Sequence, residues 1–506
     1  MILLFLSLTL AFTVEGARIL AVVPGSARSH HVIIQAILRT LAEAGHDVTV
    51  YGVHSLEDPP PNYTDVTLGS SEGIPYNASR NWNCLENIFS RYDKLMERTF
   101  GNSGIIKLLK SDERFDLVIT EPYQGQEFNL IFGHKFQAPT IGIHTYSANS
   151  LVNLNMGNVF SVSHIPQMCY AHSDRMSYWE RFTNFVALVG GIYSYYVHHL
   201  PNVEMRMKEF FPDAPPLQEL VSDVSLMFVN EHQTLDYAQP RPMTIVPVAG
   251  IHIDPVKPLP QDIQEFMDNA TAGVILFALG SVIPDETKPT KYFTGIANTF
   301  RKRPQRVIWK TRMEKIDNLP ENVMLVKWMP QSDILAHPNC VLFITHGGAA
   351  SFYETIHSGV PVVGIPHFAD QHRNVAYYVA KEVGVRLLPD QVSETTLTTA
   401  IRNVLGNTKY RDNMRRLSRI LQDTPMSPKQ AVVFWTNYVL RHQGAAHLKP
   451  ATAKMSWYQR TLLDVMVVIV CLFIVILVMF YVCLRGVLHL YRRRSILEVF
   501  KEKKYV

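Results

Sequence analysis

The sequence predicts an α/β fold with two Rossmann-like domains that face each other across a cleft, followed by one C-terminal transmembrane helix. Short apolar strands alternate with helical segments in both halves of the chain. A proline-rich stretch, residues 241–261, separates the halves and is predicted to be the linker. Residues 465–484 carry no charge, and a helix of ~20 residues spans the hydrocarbon core of a bilayer.

Composition sets the outer limits of this interpretation. The 506 residues are 47% hydrophobic and 18% charged, which excludes an intrinsically disordered chain. Five cysteines in this length exclude a disulfide scaffold. The formal charge of +4 would fit an acidic partner, but the tail after Leu484 holds seven Lys and Arg against two Glu. The basic excess therefore belongs to the tail, and no nucleic-acid partner is expected.

The first residues, 1–16, are predicted to be a signal peptide. Their apolar run is too short to span a bilayer, and small residues suit cleavage before Ala17. A buried first strand is the alternative interpretation, although residues 18–24 already supply such a strand.

The C-terminal span and the tail that follows it predict the membrane topology and the cellular location of the protein. The basic residues of the tail, 485–506, place that side in the cytosol, so the chain is expected to be a single-pass type I protein with its body in the lumen. Lys503 and Lys504 match the dilysine pattern that returns proteins to the endoplasmic reticulum membrane. A merely basic stop-transfer tail is the alternative.

Sequons and cysteines of the lumenal part agree with this topology. Three sequons all fall on the predicted lumenal side, at Asn62, Asn77 and Asn269. Three cysteines remain there as well, Cys84, Cys169 and Cys340. Because three is an odd number, at least one is free or pairs with another chain; the pairing itself stays open.

The N-terminal domain, residues 17–240, opens with a strand at 18–24, a loop at 25–29 and a helix that ends at Gly45. Further buried strands are predicted at residues 47–53, 116–120 and 140–143. The β-α-β order implies a parallel sheet whose ligand face lies at the carboxyl ends of the strands.

An aromatic segment in this half, residues 182–197, has three interpretations. It can belong to the core, form a wall of a pocket, or lie on a membrane. The sequence leaves all three open.

A second α/β series follows over residues 262–430. Its strands are predicted at residues 274–278, 307–310, 324–326, 341–345 and 362–365. Residues 431–464 are expected to form C-terminal helices and a juxtamembrane segment.

The segment that carries most chemistry is FITHGGAASFYETIHSGVPVVGIPHFADQ, residues 343–371. A buried strand ends at Thr345, His346-Gly347-Gly348 forms a tight turn, and a helix is expected to start near Ser351. A glycine turn that enters a helix N-terminus is a phosphate cradle, because free backbone N–H groups and the helix dipole favour an anion. Glu354 lies one helical turn further, where a carboxylate can accept from ribose hydroxyls.

This segment resembles, nearly position by position, the signature of the UDP-glycosyltransferase family, which includes the UDP-glucuronosyltransferases. The resemblance extends from the signal peptide to the dilysine tail, and AVVFWTNYVLRHQGA, residues 431–445, is most similar to the insect membrane-bound branch. It implies a GT-B fold, with a UDP-sugar in the C-terminal domain and a small lipophilic acceptor in the N-terminal domain.

The resemblance also implies roles for single residues at the UDP-sugar. Trp328 resembles the tryptophan that stacks on uracil, Gln331 contacts the nucleoside, and Glu354 holds the ribose. The remaining implied donor contacts are Ser281, His346, Gly348 and Ser351 at the phosphates, and Asp370 and Gln371 at the sugar hydroxyls. Ala350 departs from the family pattern, in which many members have Asn, and so removes one polar contact.

The family's catalytic base is a histidine after the first strand, oriented by an acid. His30 occupies that place, with His31 as the neighbouring alternative. Glu121 would orient His30, although vertebrate members carry Asp there. A base of this kind takes the acceptor's proton while its oxygen attacks the anomeric carbon.

The predicted activity is inverting transfer of a hexose from a UDP-sugar to a hydroxyl of a small lipophilic acceptor. UDP-glucose is the favoured donor and UDP-glucuronate the second. No cofactor or metal is expected, since the chain lacks the Asp-x-Asp motif of metal-dependent GT-A enzymes. The rival is a catalytically silent relative that binds UDP-sugars or lipophiles as a partner subunit, motivated by Glu121, Ala350 and His31. Homo- and hetero-oligomers both stay open.

Overall fold

The computed structural model describes residues 16–25, 27–69, 92–280 and 290–502. The predicted signal peptide up to residue 15, Ser281, the sequon at Asn77, Cys84 and the two C-terminal lysines lie outside the described residues. The chain forms two compact units, divided after Pro450.

The first sheet has seven strands in the order β3-β2-β1-β4-β5-β6-β7, and all its strand pairs are parallel. The strands are β1 (Arg18–Val23), β2 (Asp47–Gly52), β3 (Tyr63–Thr67), β4 (Leu117–Thr120), β5 (Thr140–His144), β6 (Leu226–Val229) and β7 (Ile245–Pro247). Alternate residues of β1 enter two different apolar cores: Ile19 packs with helix residues such as Ile33, whereas Leu20 packs with Leu95 on the other side. The sheet is therefore covered on both faces, as expected of a parallel sheet.

The helices of this half connect the strands in sequence order. They are α1 (Arg28–Glu43), α2 (Tyr92–Gly101), α3 (Ser103–Lys110), α4 (Ile131–Phe136), α5 (Ser150–Asn155), α6 (Tyr178–Tyr193), α7 (Leu200–Phe210) and α8 (Leu217–Asp223). A 3₁₀ turn spans Glu127–Leu130, and a π-helical turn, Ser194–His199, joins α6 to α7. The expected loop at 25–29 is too long by two residues, since α1 begins at Arg28. His30 consequently lies in the first turn of a helix.

The second sheet has six parallel strands in the order β10-β9-β8-β11-β12-β13. The strands are β8 (Val274–Ala278), β9 (Arg306–Lys310), β10 (Val323–Val326), β11 (Cys340–Thr345), β12 (Val362–Gly364) and β13 (Gly384–Arg386). The helices are α9 (Gln261–Asp268), α10 (Thr290–Arg301), α11 (Gln331–Ala336), α12 (Ala349–Ser358), α13 (Gln371–Ala380), α14 (Glu394–Leu405), α15 (Thr408–Gln422) and α16 (Pro428–Arg441). This half of the chain also has 3₁₀ turns at Pro389–Gln391 and Ala446–Leu448. Every strand predicted from the sequence is present.

Two elements lie elsewhere than the sequence pattern indicates. Strand β7 belongs to the first sheet, although its residues fall within the stretch expected to be linker. Helix α16 returns to the first half, where Val432 and Val439 share an apolar core with Ile19 of β1. Its apolar face needs a partner, and α1 and β1 provide one. The domain limits themselves stay a prediction.

The aromatic segment at residues 182–197 lies only partly on the surface. Helix α6 exposes a row of large apolar side chains, and Trp179 at its start is 70% exposed. Within the segment itself Phe182 and Phe185 are exposed, whereas Tyr195 is fully buried in an apolar core of the first half, so only its C-terminal end belongs to the core. None of its residues lines the cleft described below, which argues against a pocket wall.

The second unit contains a 3₁₀ turn at Ala451–Lys454, α17 (Trp457–Arg460) and α18 (Leu463–Glu502). Within α18, Leu463–Arg492 is long and apolar enough to cross a membrane. This stretch contains the predicted span and is consistent with a single-pass membrane protein.

The cysteines of the body differ in state. Cys169 is disulfide-bonded, whereas Cys340 is a buried free thiol. The expectation of at least one free or intermolecular cysteine is met by Cys340.

Candidate active site

The predicted site residues meet in a cleft between the two sheets. In each sheet the strand order reverses at one point, between β1 and β4 in the first and between β8 and β11 in the second. Ligands of open parallel sheets bind at such switch points, outside the carboxyl ends of the strands. The cleft has a volume of about 360 Å³. Nine of the predicted residues line it: His30, Trp328, Gln331, His346, Gly348, Ser351, Glu354, Asp370 and Gln371.

The side of the cleft formed by the first sheet holds a buried histidine–carboxylate pair. His30 follows β1 and Glu121 follows β4, so the pairing of these two strands brings the side chains together. Nδ1 of His30 lies 2.9 Å from Oε1 of Glu121, whose side chain is buried. The carboxylate also accepts hydrogen bonds of 2.9 Å each from Thr145 and Gln126.

These contacts keep the carboxyl group of Glu121 ionised. Burial alone would raise the pKa of Glu121, but the charge of His30 and hydrogen bonds from His30, Thr145 and Gln126 lower this pKa to about 2. Glu121 is therefore a carboxylate that only accepts, and Nδ1 of His30 donates to it. A neutral His30 then carries its lone pair on Nε2, the atom a general base uses.

Nε2 of His30 meets a residue that sequence reasoning missed. The hydroxyl of Tyr146 lies 2.8 Å away, and Tyr146 also lines the cleft. The signal available in the sequence was weak: Tyr146 stands two residues after a buried strand, at the same sheet edge as His30.

The alternative base, His31, faces away from this cleft. Its Nε2 lies 2.7 Å from the backbone oxygen of Gly25, and it is absent from the cleft lining. Burial lowers the pKa of His31 to about 4. Of the two histidines, only His30 lines the cleft and is placed to act as a base there.

The side of the cleft formed by the second sheet is built on the turn between β11 and α12. His346 packs closely against two glycines: a methyl group on Gly280 or on Gly348 would come within 2.7 or 2.5 Å of its Nε2. Burial lowers the pKa of His346 to about 3, with a further contribution from Lys310. The imidazole is therefore neutral near pH 7 and offers a hydrogen bond rather than a charge. Helix α12 begins at Ala349, two residues before the predicted start.

Three of the predicted residues on this side of the cleft form one connected cluster. Nε2 of Gln331 lies 2.8 Å from Oγ of Ser351 and also donates to the carboxylate of Glu354. Nearby Trp328 is 60% exposed, as a platform for a flat ring requires.

Two cations that sequence reasoning missed flank Trp328. The guanidinium carbon of Arg28 lies 4.9 Å from its ring centroid, and Nζ of Lys310 lies 4.6 Å from it. Both line the cleft, one from each half of the chain. They bring two positive charges into the cleft beside Trp328, and the charge of Lys310 also acts on His346.

Asp370 and Gln371 lie at the start of α13. Burial raises the pKa of Asp370 to about 7, although His30 and a 2.7 Å hydrogen bond from Asn374 oppose this rise. Oε1 of Gln371 accepts from the backbone N–H of His367 at 2.8 Å.

An ion pair beside the site joins the two halves. Arg373 of α13 lies 2.5 Å from Asp236, and both are buried. Asp236 also accepts from Ser147 at 2.7 Å and from Tyr353 at 3.1 Å. Residues so distant in sequence gave no signal for this contact.

Solved structures with the same architecture define the class. The chain superposes on the calicheamicin glycosyltransferase CalG4 with a TM-score of 0.58 and 18% identity, over 84% of this chain and 99% of that one. It superposes on UDP-glucose: anthocyanidin 3-O-glucosyltransferase, solved in complex with UDP, with a TM-score of 0.55 and 16% identity over 85% and 100%. The fold is the GT-B fold of glycosyltransferases.

Sequence comparison then identifies the family. The profile described as UDP-glucoronosyl and UDP-glucosyl transferase matches residues 70–496, and the chain belongs to this family. It is 34% identical to UDP-glucosyltransferase 2 of Dactylopius coccus, over 99% of both chains. It is 31% identical to UDP-glucuronosyltransferase 2B9 of Macaca fascicularis, over 90% of this chain and 91% of the other. The protein is a UDP-glycosyltransferase.

Proposed function

We propose that the protein transfers glucose from UDP-glucose to a hydroxyl of small lipophilic acceptors, with inversion at the anomeric carbon. The observation that carries this proposal is the His30–Glu121 pair, which faces the predicted donor residues across one cleft. In the transfer step the acceptor oxygen bonds to the anomeric carbon, and its proton goes to Nε2 of His30. The bond to UDP breaks, and its electron pair leaves with the diphosphate.

Glucose is favoured over glucuronate by the groups proposed to bind the sugar. A glucuronate carboxylate near Asp370 would face a second carboxyl group, whereas the hydroxyls of glucose can bind Asp370 and Gln371. The nearby cation Arg373 is already paired with Asp236. The insect relative at 34% identity is named as a UDP-glucosyltransferase, which supports the same choice.

The leaving diphosphate would be stabilised by this chain's own groups, without a metal ion. His346, Ser351 and the N-terminus of α12 supply hydrogen-bond donors, and Arg28 and Lys310 supply positive charge. The carboxylate of Glu354 is engaged by Gln331, and that of Asp370 by Asn374.

We further propose that the body lies in the lumen of the endoplasmic reticulum, anchored by the helix at Leu463–Arg492. The basic tail and the dilysine pattern support this placement. Endoglycosidase-sensitive glycans at Asn62 or Asn269 on the full chain would support the lumenal placement. Lys503→Ala combined with Lys504→Ala should increase the amount of protein at the cell surface, and an unchanged amount would contradict the role of the dilysine pattern.

The central experiment uses the full chain in phosphatidylcholine nanodiscs with a panel of lipophilic phenols. UDP release and glycoside formation are measured with UDP-glucose and, separately, with UDP-glucuronate. Glucoside of inverted configuration is the expected product. Product from UDP-glucuronate alone would overturn the donor, and retained configuration would overturn the mechanism. UDP binding without any product would favour the silent relative.

A further inference from the structure

The base has its working nitrogen covered by a side chain of the same protein. Nε2 of His30 lies 2.8 Å from the hydroxyl of Tyr146, and the two rings meet edge to face with centroids 5.0 Å apart. Tyr146 is only 8% exposed, and its ring also lies edge-on to His144. The tyrosine ring thus contacts the imidazoles of His30 and His144 and lines the cleft.

The direction of this hydrogen bond follows from Glu121. Because the carboxylate can only accept, Nδ1 of His30 donates to it and Nε2 must accept. Tyr146 is therefore the donor. Its phenol donates a hydrogen bond to Nε2 of His30, as an acceptor hydroxyl would do before transfer.

A transferase with a bound UDP-sugar and no acceptor faces a side reaction. A water molecule on Nε2 of His30 could give up its proton, attack the anomeric carbon and release UDP and free sugar. The hydroxyl of Tyr146 occupies the position that such a water needs. Closed sites suppress hydrolysis in this general way.

We propose that Tyr146 caps His30 in the absence of an acceptor, excludes water from the base, and moves aside when an acceptor hydroxyl enters. This inference rests on the proposed function, since it needs His30 as the base. A lipophilic acceptor buries apolar surface as it displaces the phenol, and a water molecule does not. The exchange of one hydrogen bond for another therefore favours the acceptor and disfavours water.

The test compares hydrolysis with transfer in the full chain in phosphatidylcholine nanodiscs. Tyr146→Phe keeps the ring and removes the hydroxyl. We expect glucose release from UDP-glucose without acceptor to rise about tenfold, the factor that loss of one hydrogen bond can produce. Transfer to a saturating phenol should change by less than about threefold, so the ratio of hydrolysis to transfer rises.

Two controls separate a cap from a structural role. Tyr123→Phe removes the hydroxyl of another buried tyrosine near His144 and should leave the ratio unchanged. His30→Ala combined with Tyr146→Phe should abolish the added hydrolysis, because that hydrolysis needs the base. If Tyr146→Phe fails to fold, Tyr146→Leu serves as the second variant with the same expected direction.

Three results would overturn the cap. A wild-type ratio in Tyr146→Phe would show that the hydroxyl does not exclude water. Loss of both reactions with UDP affinity kept would make Tyr146 a participant in transfer. A hexose found on Tyr146 by peptide mass spectrometry would make it a self-acceptor. Failure of the proposed function is a different result, since wild-type protein would then form no glycoside with any phenol.

Discussion

Nδ1 of His30 lies 2.9 Å from the carboxylate of Glu121, although 91 residues separate them in the chain. Their strands, β1 and β4, are neighbours at the point where the order of the first sheet reverses. The parallel pairing brings a carboxylate and an imidazole to one sheet edge, and the carboxylate fixes which nitrogen of a neutral imidazole is free. The first predictions follow from this pair.

Replacing the base tests its assignment. His30→Ala should lower transfer by about 10²–10⁴-fold, the usual contribution of a positioned general base. The affinity for UDP, measured by calorimetry, should stay unchanged, because the donor residues lie across the cleft. His31→Ala is the matched control and should keep transfer, since His31 bonds the backbone of Gly25. Loss of transfer in His31→Ala with activity kept in His30→Ala would reverse the assignment.

Replacing the acid tests its role in orienting the base. Glu121→Gln should cost about as much as His30→Ala, because an amide can donate to Nδ1 and so favour the wrong tautomer. Glu121→Asp should retain part of the rate, as the charge is kept and only the reach is shorter. Steady-state rates of the two variants decide this. Equal rates in Glu121→Gln and wild type would contradict the role.

Glu121 also predicts a sensitivity to acid. Its pKa is depressed to about 2 in the folded protein, so its stabilisation is fully present above the unfolded pKa and is lost as pH falls through the folded value. The loss is on the order of 3 kcal/mol between about pH 4.5 and pH 2. Unfolding of Glu121→Gln should depend less on pH in this window than unfolding of the wild type.

Local patterns predicted the strands and nine residues that line the cleft, whereas they could not predict contacts across long sequence distances. The turn at His346 to Gly348 follows from neighbouring residues, so a segment of about thirty residues was enough to identify it. The contact between Tyr146 and His30 joins positions 116 residues apart, and the contact between Arg373 and Asp236 joins positions 137 residues apart. The same holds for α16, whose place on the first sheet depends on tertiary packing. Local patterns also misjudged the start of α1, since Ala27 offers no side-chain cap to mark it.

Removal of metal ions should leave transfer unchanged. The proposed stabilisation of the diphosphate uses Arg28, Lys310 and His346, none of which a chelator affects. The rate with UDP-glucose and a phenol is measured after dialysis against EDTA, and again after adding Mg²⁺ or Mn²⁺. A rate that falls with EDTA and returns with either ion would contradict the proposal. Lys310→Ala should instead weaken UDP binding, by about tenfold for one charged contact.

Asp370 predicts a stability that falls as the pH rises. Burial raises its pKa from 3.8 to about 7, so the folded state holds a proton that the unfolded state has lost between these values. Stability therefore decreases across this window, by an amount on the order of 4 kcal/mol, and levels off above pH 7. Asp370→Asn should remove this slope, as denaturant unfolding at a series of pH values would show. Asp412→Asn, on the exposed face of α15, is the control and should leave the slope as in the wild type.

The Arg373–Asp236 pair should contribute more to the stability of the contact between the two halves than to the rate of transfer. Arg373→Met leaves the buried Asp236 without its cation, and removal of one partner of such a pair costs about 3–5 kcal/mol. Denaturant unfolding of the full chain measures this loss. Adding Asp236→Asn should recover much of it, because no uncompensated charge then remains buried, and the double-mutant cycle gives the coupling. The exposed pair Lys409–Glu382 is the matched control, and Lys409→Ala should leave unfolding unchanged. The guanidinium carbon of Arg373 also lies 4.9 Å from the ring centroid of Tyr237. If Arg373→Met has the same effect with and without Asp236→Asn, the arginine stabilises the protein through packing on Tyr237 and not through the ion pair.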